Sequence, residues 1–281
     1  MATRKGGSIL CPNGGRLIGS YELRCPHCGL SSPGSWWKNN IWTRGFRNAD
    51  QVVSAIIYTN VAIYAISVLL YPRAWSLSFN PFSFLSPTGR SLLLLGATGT
   101  IPIDRLHRWW TLLSANYIHG GLLHILFNMF ALRQLGGLVA QEYGIYRMVV
   151  IYTLGGVIGF LVSYLAGVRL TIGASAAVCS LIGAVLYYGK SRGGSYGQTI
   201  FRQIGGWAVG IFLFGILMPG IDNWAHGGGI LAGVFFGFSL GYHERSRESF
   251  SHKILAGICI VLTLAILGWA VLSSIYYRIA G

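Results

Sequence analysis

Seven apolar runs, at about 52–71, 113–139, 146–168, 174–189, 204–219, 223–242 and 254–277, occupy most of the chain beyond residue 51. A helix needs ~20 such residues to cross the hydrocarbon core of a bilayer, where every backbone polar group must be satisfied within the segment. The pattern predicts an all-α polytopic membrane protein with seven transmembrane helices. Composition agrees: 53% of the 281 residues are hydrophobic and 10% are charged, against roughly a quarter charged in a soluble domain. The 174–189 run is shorter than a full span, which is tolerated where its first residues face a water-filled cavity rather than lipid.

The formal net charge is +14, and its placement decides what it means. With the N-terminus inside, fourteen of the Lys and Arg residues flanking the spans fall on the inner side: seven in the N-terminal tail, then Arg147, Lys190, Arg192, Arg202, Arg245, Arg247 and Lys253. Six fall outside: Arg73, Arg90, Arg105, Arg108, Arg169 and Arg278. This asymmetry follows the positive-inside rule, so the charge reads as topology rather than as a nucleic-acid surface, with the tail cytoplasmic and the C-terminus outside. The first fifty residues carry no apolar core of a cleavable signal peptide, which makes the first span its own targeting signal.

Residues 1–50 read as a cytoplasmic tail, with a cysteine-bearing segment at 11–29 and a linker rich in tryptophan and basic residues at 31–50. Cys25-Pro-His-Cys28 places two thiolates at the spacing used by tetrahedral zinc sites. Cys11-Pro-Asn-Gly14 reads as a second such turn whose second cysteine has become glycine. His27, inside the intact turn, is poorly placed to join. Two readings stay open: a degenerate zinc ribbon with zinc on Cys11, Cys25 and Cys28, and a relic tail without metal. A disulfide does not suit a reducing cytoplasm.

Ionisable groups at membrane depth are expensive, so they mark candidate functional positions. None of the seven acidic residues falls in mid-span. That excludes a paired-aspartate intramembrane protease, and the absence of His-Glu-x-x-His excludes a zinc protease of that type. A proton-driven carrier is disfavoured for want of a buried carboxylate. What remains is histidine, asparagine and serine. The second span is expected to begin within "SANYIHGGLLHILFNMFAL", with His119 near its start and His124 and Asn128 four residues apart on one face. These groups serve either as interhelical hydrogen-bond glue or as donors into a shared cavity.

The sixth span carries Gly229, Gly233, Gly237 and Gly241 at four-residue intervals, with His226 one turn ahead of that stripe. The fourth span carries Ser175, Cys179 and Gly183 at the same interval. Small faces let helices approach backbone to backbone, so packing these two together brings Ser175 to His226 near the outer ends of their helices. A serine hydroxyl beside a histidine is a nucleophile beside its general base. Taken singly, a transmembrane serine bonded back to its own helix is the simpler reading. Asp222, four residues before His226, fits an N-cap better than a third catalytic group, which leaves a dyad. His124 and Asn128 could join the Ser175 backbone N–H in stabilising a tetrahedral oxyanion.

In "HGGLLHILFNM" at 119–129, "GAS" at 173–175 and "DNWAHGGGILAG" at 222–233, the chain resembles the rhomboid family of intramembrane serine proteases, over about 52–243. The resemblance implies a six-helix core with a seventh, C-terminal transmembrane helix at about 254–277, together forming a domain over 51–281. It implies Ser175 as nucleophile and His226 as base, with His119, His124, Asn128 and Gly173 around the oxyanion site, and no cofactor for catalysis. Its partners would be transmembrane protein substrates in a lipid bilayer, with no nucleic acid. The tail looks like the zinc-ribbon-like extension of some bacterial members, which points to a bacterial inner membrane. The 72–110 loop, with "SLLLLGA" before "HRWWTLL", has the look of the family's outer, membrane-associated loop.

Three positions depart from the family pattern. Ala176 replaces a glycine after the serine, Cys179 stands where an aromatic often stacks on the histidine, and Thr111 follows Trp110 where arginine is usual. They bear on substrate range and rate rather than on a reacting atom. Two rivals remain: an inactive relative that binds transmembrane clients without cutting them, and a transporter. The first usually loses the serine or the histidine, and the second usually shows buried charges or matched broken helices.

Overall fold

The computed structural model describes residues 7–11, 16–35, 48–72, 84–218 and 220–280. The chain divides into two compact units, Met1–Arg47 and Asn48–Gly281. In the first, strands β1 (Ser8–Leu10) and β2 (Leu17–Gly19) pair as an antiparallel hairpin. A turn closed by a bridge between Arg24 and Ser31 follows. Most of the 31–50 linker anticipated above lies outside the described residues.

The second unit begins with α1 (Ala49–Leu70), whose N-cap Asn48 accepts a hydrogen bond from Asp50 N at 3.0 Å. Short helices α2 (Gly89–Leu95) and α3 (Thr111–Ser114) follow, with a π turn at Ile101–Arg105 between them. The long helices α4 (Leu122–Tyr143), α5 (Ile145–Leu165), α6 (Ser175–Arg192), α7 (Gly194–Leu217), α8 (Asn223–Leu240) and α9 (Phe250–Ala280) complete the unit. With α1 they make the expected seven, and the fold is an all-α polytopic membrane fold. By length and composition α1, α4, α5, α7 and α9 can each cross a membrane. Helices α6 and α8 have 18 residues each, only about 27 Å of rise.

Boundaries differ from the sequence expectation where tertiary contacts override apolar length. The second span begins at Leu122 rather than near 113, because 111–117 fold into α3 and a 3₁₀ turn, Ala115–Tyr117. His119 thus sits in the link before α4, not on the helix. The fifth helix starts at Gly194, ten residues ahead of its apolar run. There Gly197 packs on Gly189 of α6, where an added Cβ would lie 2.8 Å from a backbone oxygen. Part of the 72–110 loop lies outside the described residues. The rest is ordered into helical turns that brace the loop before α6, through Thr98–Thr171 backbone pairing in both directions and bonds from Thr100 N to Val168 O and Ile101 N to Arg169 O.

Helices α5, α6 and α8 form the centre. A Cβ at Gly233 or Gly183 would collide with the backbone oxygen of Ser180 or Ile230 on the facing helix. One at Gly237 would stand 3.3 Å from Ala184 Cα. Gly159 of α5 joins the same contact, its Cβ position lying 3.1 Å from Ala176 Cβ and 2.8 Å from Ala225 O. The stripe ends before Gly241, which caps α8 with φ of 68° and faces Ser246.

At the opposite end of the bundle from Ser175, buried Arg147 donates to Tyr143 O, Ser246 O, Ser246 Oγ and Arg247 O, at 2.9 to 3.1 Å. Glu248 accepts from Tyr146 N and Arg147 N, capping α5. This clamp fastens the α8–α9 loop to the α4–α5 corner.

Gly233→Val is expected to lower the thermal midpoint of the detergent-purified protein by several degrees, because overpacking costs roughly 1–3 kcal/mol or more. Gly206→Ala, where nothing lies within 4 Å of the added methyl, should be neutral or stabilising by up to ~1 kcal/mol. Arg147→Met leaves the carbonyls of Tyr143, Ser246 and Arg247 without the guanidinium donors, a loss of about 1–3 kcal/mol. Limited proteolysis of the 241–249 loop should accelerate in that variant.

Candidate active site

Ser175 is the first residue of α6, behind Ala174 as N-cap. The turn that delivers it depends on Gly173, whose φ of 126° a side-chain-bearing residue rarely adopts. Gly173 N donates to Ala115 O at 2.9 Å, anchoring the turn to the 3₁₀ segment. At a helix start the first N–H groups have no intrahelical acceptor and the macrodipole is positive, so the Ser175 and Ala176 amides are available to negative charge. Ser175 itself is half-buried.

His226 lies in the first turn of α8 and is 6% exposed. Its depth is set by the N-cap: Asp222 accepts from Ala225 N at 3.0 Å, and its other carboxylate oxygen is taken by Ser163 Oγ. Asp222 therefore acts as the cap that the sequence suggested. His226 Nδ1 is buried without a hydrogen-bond partner, so no carboxylate orients the ring. Gly229, one turn further on, packs against Ala176 O and lies 3.2 Å from Cys179 Cβ, measured from its built Cβ position. That contact brings the first turns of α6 and α8 to the same level. Among the described residues no hydrogen bond joins Ser175 Oγ to His226.

The third element comes from α4 and the link before it. His124 Nδ1 accepts from Gly120 N at 3.4 Å, which leaves the ring proton on Nε2. A Cβ built on Gly173 would lie 2.7 Å from His124 Nε2 and 3.6 Å from Ser175 Oγ. The His124 N–H and the Ser175 hydroxyl therefore border one small space over Gly173. Asn128, 7% exposed, directs its amide nitrogen to His124 O at 2.9 Å, so one of its two amide hydrogens is held within α4 rather than offered to the cavity. His119 packs edge-on to His124, ring centroids 5.1 Å apart, and both of its nitrogens are buried without partners.

The departures from the family pattern acquire physical explanations. Ala176 does not obstruct α8, because its carbonyl, not its methyl, faces Gly229. The methyl turns to α5, where Gly159 leaves room. Cys179 is 1% exposed and packs on the α8 backbone, and among the described residues no aromatic ring stacks on His226. Thr111 Oγ1 bonds Thr98 Oγ1 and Arg108 O, tying the outer loop together. Gly120, Ala115 O and Gly159 were not identifiable as site components from sequence, since each acts through its backbone. The cysteines of the tail form a separate group: the sulfurs of Cys11, Cys25 and Cys28 lie within 4.8 Å of one another, while His27 Nδ1 is 3.4 Å from Arg16.

A half-buried serine at a helix start shares the space over Gly173 with a histidine inside an apolar helical bundle, and comparison with known proteins gives the family. The profile of the Rhomboid domain matches residues 106–243. RHOMBOID-like protein 5 of Arabidopsis thaliana is 33% identical over 71% of this chain and 71% of its own length. RHOMBOID-like protein 1 of the same plant is 30% identical over 66% of this chain and 52% of its own. Rhomboid protease GluP of Bacillus subtilis (strain 168) is 31% identical over 54% of this chain, which spans 30% of that relative. The chain belongs to the rhomboid family. Membership supports an intramembrane protease function in general; rhomboid proteases act on transmembrane substrates in the bilayer.

Gly173→Ala should strain the turn and push His124 aside. The expected result is at least a tenfold slower reaction of Ser175 with a fluorophosphonate, read by in-gel fluorescence, since small displacements of catalytic groups cost up to ~100-fold.

Proposed function

We propose that this protein is an intramembrane serine endopeptidase working through a Ser175–His226 dyad. The observation that carries the reading is the close crossing of α6 and α8 at Gly229, which supports a meeting of the two first turns that hold Ser175 and His226. The Ser175–His226 hydrogen bond closes when substrate enters, as catalytic bonds often do.

His226 takes the Ser175 proton as Oγ attacks the scissile carbonyl. Negative charge gathering on the carbonyl oxygen meets the Ser175 N–H and His124 Nε2–H, with the second amide hydrogen of Asn128 as a further donor. Collapse expels the new amine, which takes the proton from His226, and leaves an acyl-enzyme. Water, activated by the same histidine, hydrolyses that ester. Gly173 keeps the space over Ser175 clear, and His119 positions the His124 ring. The substrate is a transmembrane segment whose helix unwinds locally to offer an extended carbonyl. The chain is oriented with its tail in the cytoplasm of a bacterium and its C-terminus outside the inner membrane. A client-binding relative without activity would have no use for the Ser175 and His124 groups bordering one space over Gly173.

In liposomes, the purified protein should cleave a model transmembrane substrate, and Ser175→Ala and His226→Ala should each reduce the rate by a factor on the order of 10³ or more. His124→Ala and Asn128→Ala should lose about 10–1,000-fold in turnover with smaller changes in KM. Absence of cleavage across a varied substrate panel, with Ser175 also inert to a fluorophosphonate, would replace this reading with the client-binding one.

A further inference from the structure

The tail unit carries a feature that the membrane reaction does not use. Its interior consists of Cys11, Ile18 and Cys25, with Ile9 and Leu30 alongside. Units below about 70 residues rarely fold on so little apolar burial without a disulfide, a metal or a similar staple. Cys11 and Cys25, each 2% exposed, are two of the three buried residues of that interior.

The two cysteine turns share one backbone plan. Cys11 N donates to Arg16 O at 2.7 Å and Cys25 N to Leu30 O at 2.8 Å, the same five-residue offset. In the second turn the backbone N–H groups of His27 and Cys28 are directed at the Cys25 sulfur. Cys28 Sγ stands 3.5 Å from Cys11 Sγ, and all three sulfurs lie within 4.8 Å of one another. Tetrahedral zinc with bonds of ~2.3 Å separates its sulfurs by about 3.8 Å, so the triangle needs little adjustment. Position 14 corresponds in the first turn to Cys28 in the second. It is glycine and lies outside the described residues. Among the described residues no other histidine, cysteine or carboxylate joins the group.

We propose that Cys11, Cys25 and Cys28 bind one zinc ion as three thiolates and leave its fourth position open to an exchangeable donor, a thiol or an imidazole supplied from outside the tail. On binding, three thiols release three protons and the centre carries a net charge of −1, beside Arg16 and Arg24. Water fills the fourth position until a donor displaces it, and an incoming thiol releases its own proton. Three protein ligands with one open position are the pattern of reactive zinc sites, whereas structural sites are closed by four.

The test uses the full chain, purified in detergent under reducing, anaerobic conditions and loaded with Co²⁺ in place of zinc. One Co²⁺ per chain is expected, with thiolate-to-cobalt charge transfer in the near ultraviolet and four-coordinate d–d bands in the visible. Imidazole or 2-mercaptoethanol should shift the d–d bands. Gly14→Cys should remove that response and hold Co²⁺ at least about tenfold more tightly. Cys28→Ser should abolish the charge-transfer bands while leaving fluorophosphonate labelling of Ser175 unchanged. Substoichiometric metal without thiolate bands would overturn the proposal. So would a wild-type spectrum that added donors do not move, because the fourth position would then be closed.

Discussion

Where α6 and α8 cross, the backbone oxygens of Ala176, Ser180 and Ile230 occupy the space in which side chains of the facing helix would otherwise stand. Within a membrane no hydrophobic force drives helices together, because lipid tails are as apolar as leucine. Close van der Waals contact takes its place, and only glycine at Gly183, Gly229 and Gly233 permits it. The site depends on this contact, since neither α6 nor α8 carries a fixed relation to the other through sequence proximity. Gly159 extends the crossing to α5, and through the Ala176 methyl makes the position after Ser175 part of a three-helix junction.

Polar groups inside the bundle fall into two kinds. Arg147, buried, and Glu248, half-buried, have several partners each, so they act as connectors between the α4–α5 corner and the loop leading to α9. His119 and His226 Nδ1 are buried without partners. Unsatisfied buried groups normally cost about 1–3 kcal/mol each. Their concentration at the Ser175 end of the bundle is what distinguishes that end from the Arg147 end, where buried groups are mostly paired.

The helix count, the packing of the glycine stripe and the capping role of Asp222 were all legible from spacing alone, since membrane helices report themselves by apolar length and small-residue period. Helix ends were less legible. Nothing in the apolar pattern separates 111–117 from the helix that follows, and Gly194–Arg202 is too polar to reveal that it continues α7. Both boundaries are set by contacts with other segments. In the tail, the Cys25-x2-Cys28 spacing identified a metal-type turn, but only the shared hairpin plan shows Cys11 brought to it.

By itself the sequence determined an all-α membrane protein with seven long helices, and that serine, histidine and asparagine rather than carboxylates lie within its apolar runs. It also determined family membership through three separated motifs. Tertiary structure decided the arrangement of those groups: the free space over Gly173, the single nitrogen of His124 that faces it, and the direction of the Ala176 methyl toward Gly159 rather than α8. The division has a physical reason. Apolar length and small-residue period are properties of one helix and can be read along it. A tautomer, a left-handed turn and a backbone contact exist only between segments, and those are set when the helices meet.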